Sequence, residues 1–238
     1  MERIEPLKIV LEARQLSKEV TSPEGPLTIL DKVDLSVAIG ESIAVVGVSG
    51  AGKSTLLGLL AGLDVPSTGN VFLNGQNLSE LDEDGRAAVR AGHVGFVFQS
   101  FHLIPSLTAL ENVMLPLELD GHAGARATAL ETLDKVGLSP RAGHYPHQLS
   151  GGEKQRVAIA RAFVIEPEVL FVDEPTGNLD HRTGKTIIDL LFRLNHEAGT
   201  TLVLVTHDLN LAQRCDRIFH MDEGRITRVE TPGEESLA

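Results

Sequence analysis

A glycine-rich loop between an apolar strand and a helical stretch is the first place in the sequence where chemistry could occur. Its pattern, G-x-x-x-x-G-K-S, follows the apolar run Ile43–Val46 and precedes the helix-like stretch Thr55–Leu63. Successive backbone N–H groups in such a loop form a concave anion site, and the helix N-terminus adds its dipole. The loop therefore predicts phosphate binding. Its residues are Gly47, Val48, Ser49, Gly50, Ala51, Gly52, Lys53 and Ser54.

Three polar side chains at the end of this loop strengthen the prediction. Lys53 can reach the β and γ phosphates of a nucleotide, the Ser54 hydroxyl can bind Mg²⁺, and Thr55 can add a phosphate contact. The alternative interpretation is a glycine-rich turn with an exposed lysine, which would have the same residue pattern. The strand before the loop and the helix after it favour the phosphate site.

A second apolar strand, Val169–Val172, ends in two acidic residues. Burying carboxylates there is costly unless a cation compensates their charge. We expect Asp173 to hold Mg²⁺ through a water molecule, and Glu174 to orient and polarise an attacking water. An Asp-Glu pair after a strand fits an ordinary strand-to-turn boundary equally well, so the catalytic interpretation depends on the phosphate loop upstream.

The run Leu149–Arg156 reads as a second anion site. Ser150 offers a hydroxyl, Gly151 and Gly152 expose backbone N–H groups, and a helical pattern begins there. A serine-capped helix after a glycine turn is the alternative interpretation. A single chain does not need two phosphate clamps on one nucleotide.

This run, L-S-G-G-E, resembles the signature motif of ABC ATPases, and the resemblance covers essentially the whole chain. It implies that the signature of one protomer caps the γ-phosphate of ATP held by the phosphate loop of the other. Two identical chains would then form two such sites by two-fold symmetry. The implied ligands are ATP and Mg²⁺, and the implied assembly is a homodimer in the ATP-bound state.

Three further motifs match this family in the expected order. Gln99 resembles the Q-loop glutamine, which contacts Mg²⁺ or the lytic water and begins the segment that faces the membrane partner. The run Gly177–Asp180 resembles the D-loop, which crosses to the other protomer, so Asp180 joins the nucleotide set. His207 resembles the switch histidine that contacts the γ-phosphate. The implied catalytic residues are Glu174, His207, Gln99 and Lys53, and the implied metal ligands are Ser54, Gln99 and Asp173.

The sequence departs from the family at the residue that would stack on adenine. The family places an aromatic residue near the N-terminus, and the matching position here is Val20. No Phe, Tyr or Trp precedes Phe72. We expect weaker base stacking and looser discrimination between ATP and GTP.

The elements around these motifs predict an α/β fold: a P-loop NTPase core with a mostly parallel sheet. Alternating stretches within residues 1–40 predict an antiparallel β-subdomain, and about 101–147 reads as an inserted helical subdomain. We expect one ABC ATPase domain over 1–238, with a disordered tail at about 231–238. The predicted buried strands are Ser42–Val46, Val94–Phe98, Val169–Val172 and Thr201–Val205. The predicted apolar helix faces are Ile187, Leu190, Leu191 and Leu194, and Ala129, Leu130, Leu133 and Val136.

Composition narrows the possible partners and compartment. The net charge of −12 and the lack of a Lys/Arg cluster argue against nucleic acid as a partner. No apolar run approaches the roughly 18–20 residues that span a bilayer. The stretch Met1–Val10 has no hydrophobic signal core, and the single cysteine, Cys215, has no partner within the chain. We therefore expect a cytoplasmic chain.

Within the family, the sequence looks most similar to the lipoprotein-release and macrolide-export group, and closest to its YbbA branch. The cues are the runs Gly95–Pro105, Thr108–Val113 and Asp173–Asp180. This implies a stand-alone ATPase on the cytoplasmic face of the inner membrane, bound to permease subunits and without direct cargo contact. Three alternatives stay open: an ABC ATPase acting on DNA or ribosomes, a regulatory one of the cell-division type, and a solute-importer ATPase.

Overall fold

The computed structural model describes residues 8–23 and 25–233. The chain forms two compact units. The first joins the part up to Arg90 with the part from Thr201 onward, and the second is Ala91–Thr200. Their strands are β1 (Ile9–Ser22), β2 (Gly25–Ala38), β3 (Ser42–Val46), β4 (Thr68–Leu73), β5 (Gln76–Asn77), β6 (Val94–Val97), β7 (Val169–Asp173), β8 (Thr201–Thr206), β9 (Arg217–Asp222) and β10 (Arg225–Glu230). Their helices are α1 (Lys53–Leu60), α2 (Glu83–Arg90), α3 (Ala109–Leu119), α4 (Ala125–Lys135), α5 (Gly151–Phe163), α6 (His181–Ala198) and α7 (Leu209–Ala212).

The first unit contains the predicted antiparallel sheet, with strand order β2-β1-β4-β5. Along β2, Val33, Leu35 and Val37 are buried while Asp34 is exposed, as the alternating pattern predicts for a strand with one covered face. The pairs Ala13–Leu35 and Ala13–Val71 place β1 between its two neighbours. The prediction of an N-terminal antiparallel sheet is confirmed.

The same unit contains parallel strands that position the phosphate loop. Strand β3 pairs in parallel with both β8 and β9, and β10 closes the edge antiparallel to β9. The residues Ile43–Val46 are all buried, because a parallel strand with two covered faces has no solvent side. At its carboxyl end β3 passes directly into the glycine-rich loop.

The second unit contains the other predicted parallel pair. Strands β6 and β7 run side by side, with Val97 opposite Val172. The rings of Phe96 and Phe171 stack across the pair with centroids 5.6 Å apart. The predicted α/β class with a mostly parallel core is therefore confirmed, and the predicted buried strands lie within one residue of the observed ones.

Residues 101–147 contain α3, α4 and two short 3-10 turns, and no strand lies between residues 101 and 147, all of which are described. We place the predicted inserted helical subdomain here, and the domain boundaries stay a prediction. Five residues of the predicted tail, 234–238, lie outside the described residues. Within the described ranges, none of the helices has the length and apolar character that a membrane crossing requires.

The predicted apolar face of α4 was wrong at one position. Leu130 is 38% exposed, whereas Thr132 is buried together with Ala129 and Leu133. Neighbouring helical residues are 100° apart, so Leu130 cannot share the face of Ala129. Thr132 takes the buried place because its hydroxyl donates to the Thr128 carbonyl at 2.8 Å.

Two smaller predictions also differ from the structure. On α6, Leu190 is only half-buried, although the rest of its predicted face is buried. The helix after the phosphate loop is Lys53–Leu60 rather than Thr55–Leu63. It ends early because Gly62 has a left-handed φ of 65°, which terminates a helix.

Candidate functional site

The phosphate loop packs so tightly that two positions tolerate only glycine. A Cβ on Gly47 would lie 2.2 Å from the Met221 carbonyl oxygen. A Cβ on Gly52 would lie 2.8 Å from the Ile29 carbonyl oxygen, and Gly52 has a φ of 98°. This left-handed conformation is nearly free for glycine and strained for other residues. Neighbouring backbone therefore fixes the curve of the loop.

Lys53 points its ammonium group into this loop. Its Nζ donates to the carbonyl oxygens of Gly47 at 2.8 Å and Val48 at 3.0 Å. The side chain is buried, whereas Val48, Ser49 and Gly50 on the rim are exposed. The loop thus presents an exposed backbone rim around a lysine held in a fixed position, as an anion site requires.

His207 lies at the same edge of the parallel strands as the phosphate loop. Val46 pairs with Thr206, so Gly47 and His207 are each the next residue beyond this pair. Asp208 secures the turn by capping α7 through the Asn210 N–H at 2.9 Å. The structure therefore brings His207, which is exposed, beside the loop that holds Lys53.

Val20, the predicted adenine position, is 40% exposed on β1. Its antiparallel partner is Leu27, which is 50% exposed. This surface is aliphatic on both strands. Leu27 was missed from the sequence, because only strand register reveals which residue stands beside Val20.

In the second unit, the parallel pairing places Gln99 and Glu174 at the same edge of the two strands. Each lies two residues beyond the pair Val97–Val172, at the carboxyl edge. Asp173 is the last residue of β7, and Glu174 follows with a left-handed φ of 44°. This conformation costs a non-glycine residue about 1–3 kcal/mol and is typical of functional sites.

The predicted D-loop holds Gln99 in place. Asn178 Nδ2 donates to the Gln99 carbonyl at 2.9 Å. A Cβ on Gly177 would lie 2.5 Å from Gln99 Nε2, so only glycine allows the amide to approach this closely. Asp180 caps α6 by accepting from the Thr183 N–H at 3.0 Å, and the bonds from Thr183 lower the pKa of the Asp180 carboxyl.

The signature residues begin α5 in a capping box. Ser150 Oγ accepts from the Glu153 N–H at 3.3 Å, and the Ser150 N–H and hydroxyl both donate to Glu153 Oε2 at 2.8 Å. These bonds from the Ser150 backbone and side chain are the largest cause that lowers the pKa of Glu153. A Cβ on Gly152 would lie 2.6 Å from Thr183 Cγ2. The close packing against α6 leaves Ser150 exposed at the helix N-terminus.

Three residues whose side chains bond to neighbouring groups and hold them in place were not identified from the sequence: Asn112, Arg141 and Arg161. Arg161, on α5, donates to the carbonyls of Phe101 at 3.0 Å and His102 at 2.6 Å. Both carbonyls belong to left-handed residues, and desolvation lowers the pKa of the Arg161 guanidinium. The sequence signal for Arg161 was its position on a helix face that also carries buried alanines.

The structure therefore groups the predicted residues in two sets, one per unit. The first unit contains the phosphate loop, Thr55, His207 and Val20. The second contains Gln99, Asp173, Glu174, the signature and Asp180. Ser54 in the first unit, and Gln99 and Asp173 in the second, each carry an oxygen of the kind that Mg²⁺ prefers as a ligand.

Comparisons with known proteins agree on one family. The ABC transporter family model matches residues 30–177. The ABC transporter ATP-binding protein YbbA of Escherichia coli K12 is 57% identical over 93% of this chain and 98% of its own. The lipoprotein-releasing system ATP-binding protein LolD of Xanthomonas campestris pv. campestris (strain 8004) is 48% identical over 91% of this chain and 92% of its own. The chain belongs to the ABC transporter ATP-binding family.

Solved structures of this family show the same fold as this ABC ATPase. Two structures of the cassette MJ0796 match with a TM-score of 0.86 and 41% identity, over 93% of this chain and 98% of theirs. Both are dimeric, and one is a post-hydrolysis state bound to ADP and Pi. The predicted family, fold class and ATPase activity are thus confirmed, together with the similarity to YbbA and LolD.

Proposed function

We propose that two copies of this ABC ATPase close around two ATP–Mg complexes and that opening after hydrolysis drives a separate membrane permease. The observation that carries this proposal is the presence of two anion sites in one chain. One is the loop around Lys53, and the other is the exposed, capped helix start at Ser150. A symmetric dimer gives each ATP one site of each kind.

The roles within a site follow from the chemistry of each side chain. Lys53 and the loop N–H groups bind the phosphates, and Ser150, Gly151 and Gly152 of the partner seal the γ-phosphate. Glu174 and His207 orient the attacking water, with Gln99 beside it. Ser54, Asp173 and Gln99 would hold Mg²⁺, which would supply positive charge to the phosphates. Asp180 reaches towards the partner chain.

The segment 101–107 is the proposed contact with the permease. Residues 104–106 are exposed, and Arg161 anchors the carbonyls of Phe101 and His102. The fully buried amide of Asn112 accepts from the Ile104 N–H at 2.8 Å and donates to the Leu107 carbonyl at 3.0 Å. The segment is therefore preshaped, which lowers the entropic cost of binding a partner.

The permease type is proposed from similarity to LolD, whose name places it in a lipoprotein-releasing system. We place this chain on the cytoplasmic face of the inner membrane, with a permease of the lipoprotein-release or macrolide-export type. It contacts neither nucleic acid nor cargo directly. Affinity purification of the tagged chain from membranes should recover a permease with a large periplasmic domain. Recovery of ribosomes, DNA or a solute-importer permease would contradict this assignment.

The catalytic assignment is tested with Glu174→Gln. We expect ATP binding to persist, turnover to fall by more than about a hundredfold, and a dimer to accumulate with ATP. Sedimentation and phosphate release measure these effects. Glu166→Gln is the matched control, because Glu166 is also an acidic residue with a left-handed φ, 49°, in the same unit. Wild-type turnover by the Glu174→Gln variant would refute the assignment.

A further inference from the structure

The hydrogen bonds of the signature serine are directed to a neighbouring carboxylate. The Ser150 N–H and hydroxyl both lie 2.8 Å from Glu153 Oε2. The hydroxyl is the donor that a γ-phosphate at this helix start would need. Glu153 is thus a competing acceptor, and its negative charge lies within hydrogen-bonding distance of the place where another anion would bind.

Arg141 is the cation that contacts this carboxylate. Its Nε donates to Glu153 Oε1 at 3.1 Å, while Ser150 uses the other oxygen. The Arg141 side chain is 49% exposed and that of Glu153 is 19% exposed. Hydrogen bonds from Ser150, followed by the Arg141 contact, keep the pKa of Glu153 below its usual range. Glu153 therefore stays ionised at neutral pH, and its charge needs a counter-ion when a triphosphate approaches.

The position of Arg141 connects this charge pair to α3. The first N–H groups of α3, on Ala109 and Leu110, donate to the carbonyls of His144 at 2.8 Å and Ala142 at 2.9 Å. Arg141 immediately precedes Ala142, and its Nη1 lies 3.2 Å from His144 Nε2. The segment that carries Arg141 is thus bonded to the start of the helix that follows segment 101–107.

We propose that Arg141 is a positioning residue for the signature: it neutralises Glu153, so that Ser150 can turn its hydroxyl to the γ-phosphate of a nucleotide held by a second copy of the chain. This inference rests on the proposed function. Without Arg141, the full negative charge of Glu153 repels the incoming triphosphate and competes more strongly with it for the Ser150 hydroxyl. Movement of the α3 start can then tune how strongly the signature binds the partner's ATP.

The test introduces Arg141→Leu into the Glu174→Gln protein and measures the ATP-dependent dimerisation constant by sedimentation. A partly exposed charge contact is worth up to about fivefold per site, so two sites per dimer predict dimerisation weakened by up to about twenty-fivefold. Adding Glu153→Gln should restore it, because no charge then remains to neutralise. Arg141→Lys should retain most of the affinity. Raised salt should narrow the difference between Arg141→Leu and its parent.

Arg193→Leu is the matched control. Arg193 is 50% exposed and pairs with Glu197, so its loss changes the net charge equally while leaving Glu153 and Ser150 untouched. We expect it to leave dimerisation unchanged. Thermal melting identifies any variant that does not fold. If Arg141→Leu does not fold, the dimerisation constants of the Arg141→Lys and Glu153→Gln proteins test the inference instead.

Three results would overturn the inference. Equal weakening by Arg141→Leu with and without Glu153→Gln would assign Arg141 a packing role. No weakening at all, while the Glu174→Gln parent dimerises with ATP, would refute the inference but leave the proposed function intact. A parent that stays monomeric with ATP would refute both.

Discussion

The two candidate anion sites of this chain carry opposite charges. The phosphate loop holds a cation inside a backbone curve, where Lys53 donates to the carbonyls of Gly47 and Val48. The signature holds an anion at its helix start, where Glu153 accepts both donors of Ser150. The first site therefore presents a positive charge to the triphosphate of the proposed function. At the second, the proposal requires that Arg141 neutralise Glu153 first, so control would be exerted there.

The largest expected effect tests the charges of the two sites. Lys53→Met removes the only cation of the phosphate loop while keeping its length, so ATP turnover should fall by more than about a hundredfold. Glu153→Gln removes the anion of the signature and should change turnover less than about threefold. Phosphate release measures both. Lys185→Met, on an exposed face of α6, is the control for charge. Equal losses of ATP turnover from Lys53→Met and Glu153→Gln would show that the two sites do not differ in how their charge affects turnover.

An intermediate effect tests how rigidly each site is packed. Gly47→Ala would place a methyl group 2.2 Å from the Met221 carbonyl oxygen, and backbone cannot move aside cheaply. Gly152→Ala meets only the methyl group of Thr183, at 2.6 Å. We expect the free energy of unfolding to fall by about 3 kcal/mol for Gly47→Ala and about 1–2 kcal/mol for Gly152→Ala. Urea denaturation measures both.

The matched rescue is specific to the signature. Thr183→Ser removes the obstructing methyl group but keeps the backbone N–H that Asp180 caps, so it should restore most of the stability lost in Gly152→Ala. It should do nothing for Gly47→Ala. A rescue of both glycine variants, or of neither, would show that the contacts with Met221 and Thr183 do not determine the packing of these loops.

The contrast between the sites also explains how much the sequence could predict. The phosphate loop, the strand before it and the acidic strand end were predictable, because spacing along one segment determines backbone curvature. Leu27 beside Val20 and Arg141 beside Glu153 were not, because these contacts join residues from different elements or turns. Leu130 on α4 was misplaced for a related reason: apolar character alone does not decide which side of a helix is covered. The left-handed Glu174 carries no signal in its residue type.

The smallest expected effect concerns the aliphatic surface at Val20. An aromatic ring there would stack on a base, and every base offers a π-face, so Val20→Tyr should tighten ATP and GTP binding by a similar factor, about fivefold. In the unmodified chain the two affinities should lie within about a hundredfold of each other. Fluorescent nucleotide titration measures both values.

Val229→Tyr is the control for this last prediction, because Val229 is also a strand valine, 49% exposed on β10 in the same unit. It should leave nucleotide affinity unchanged, since Val229 lies on β10 and not on the β1–β2 surface proposed for the base. If Val20→Tyr tightened binding no more than Val229→Tyr, the β1–β2 surface would not be the place where the base rests. The nucleotide affinity of this chain would then come from contacts to the phosphates alone. Binding would depend on the two sites compared above, the phosphate loop with its backbone donors and the signature with the charge of Glu153.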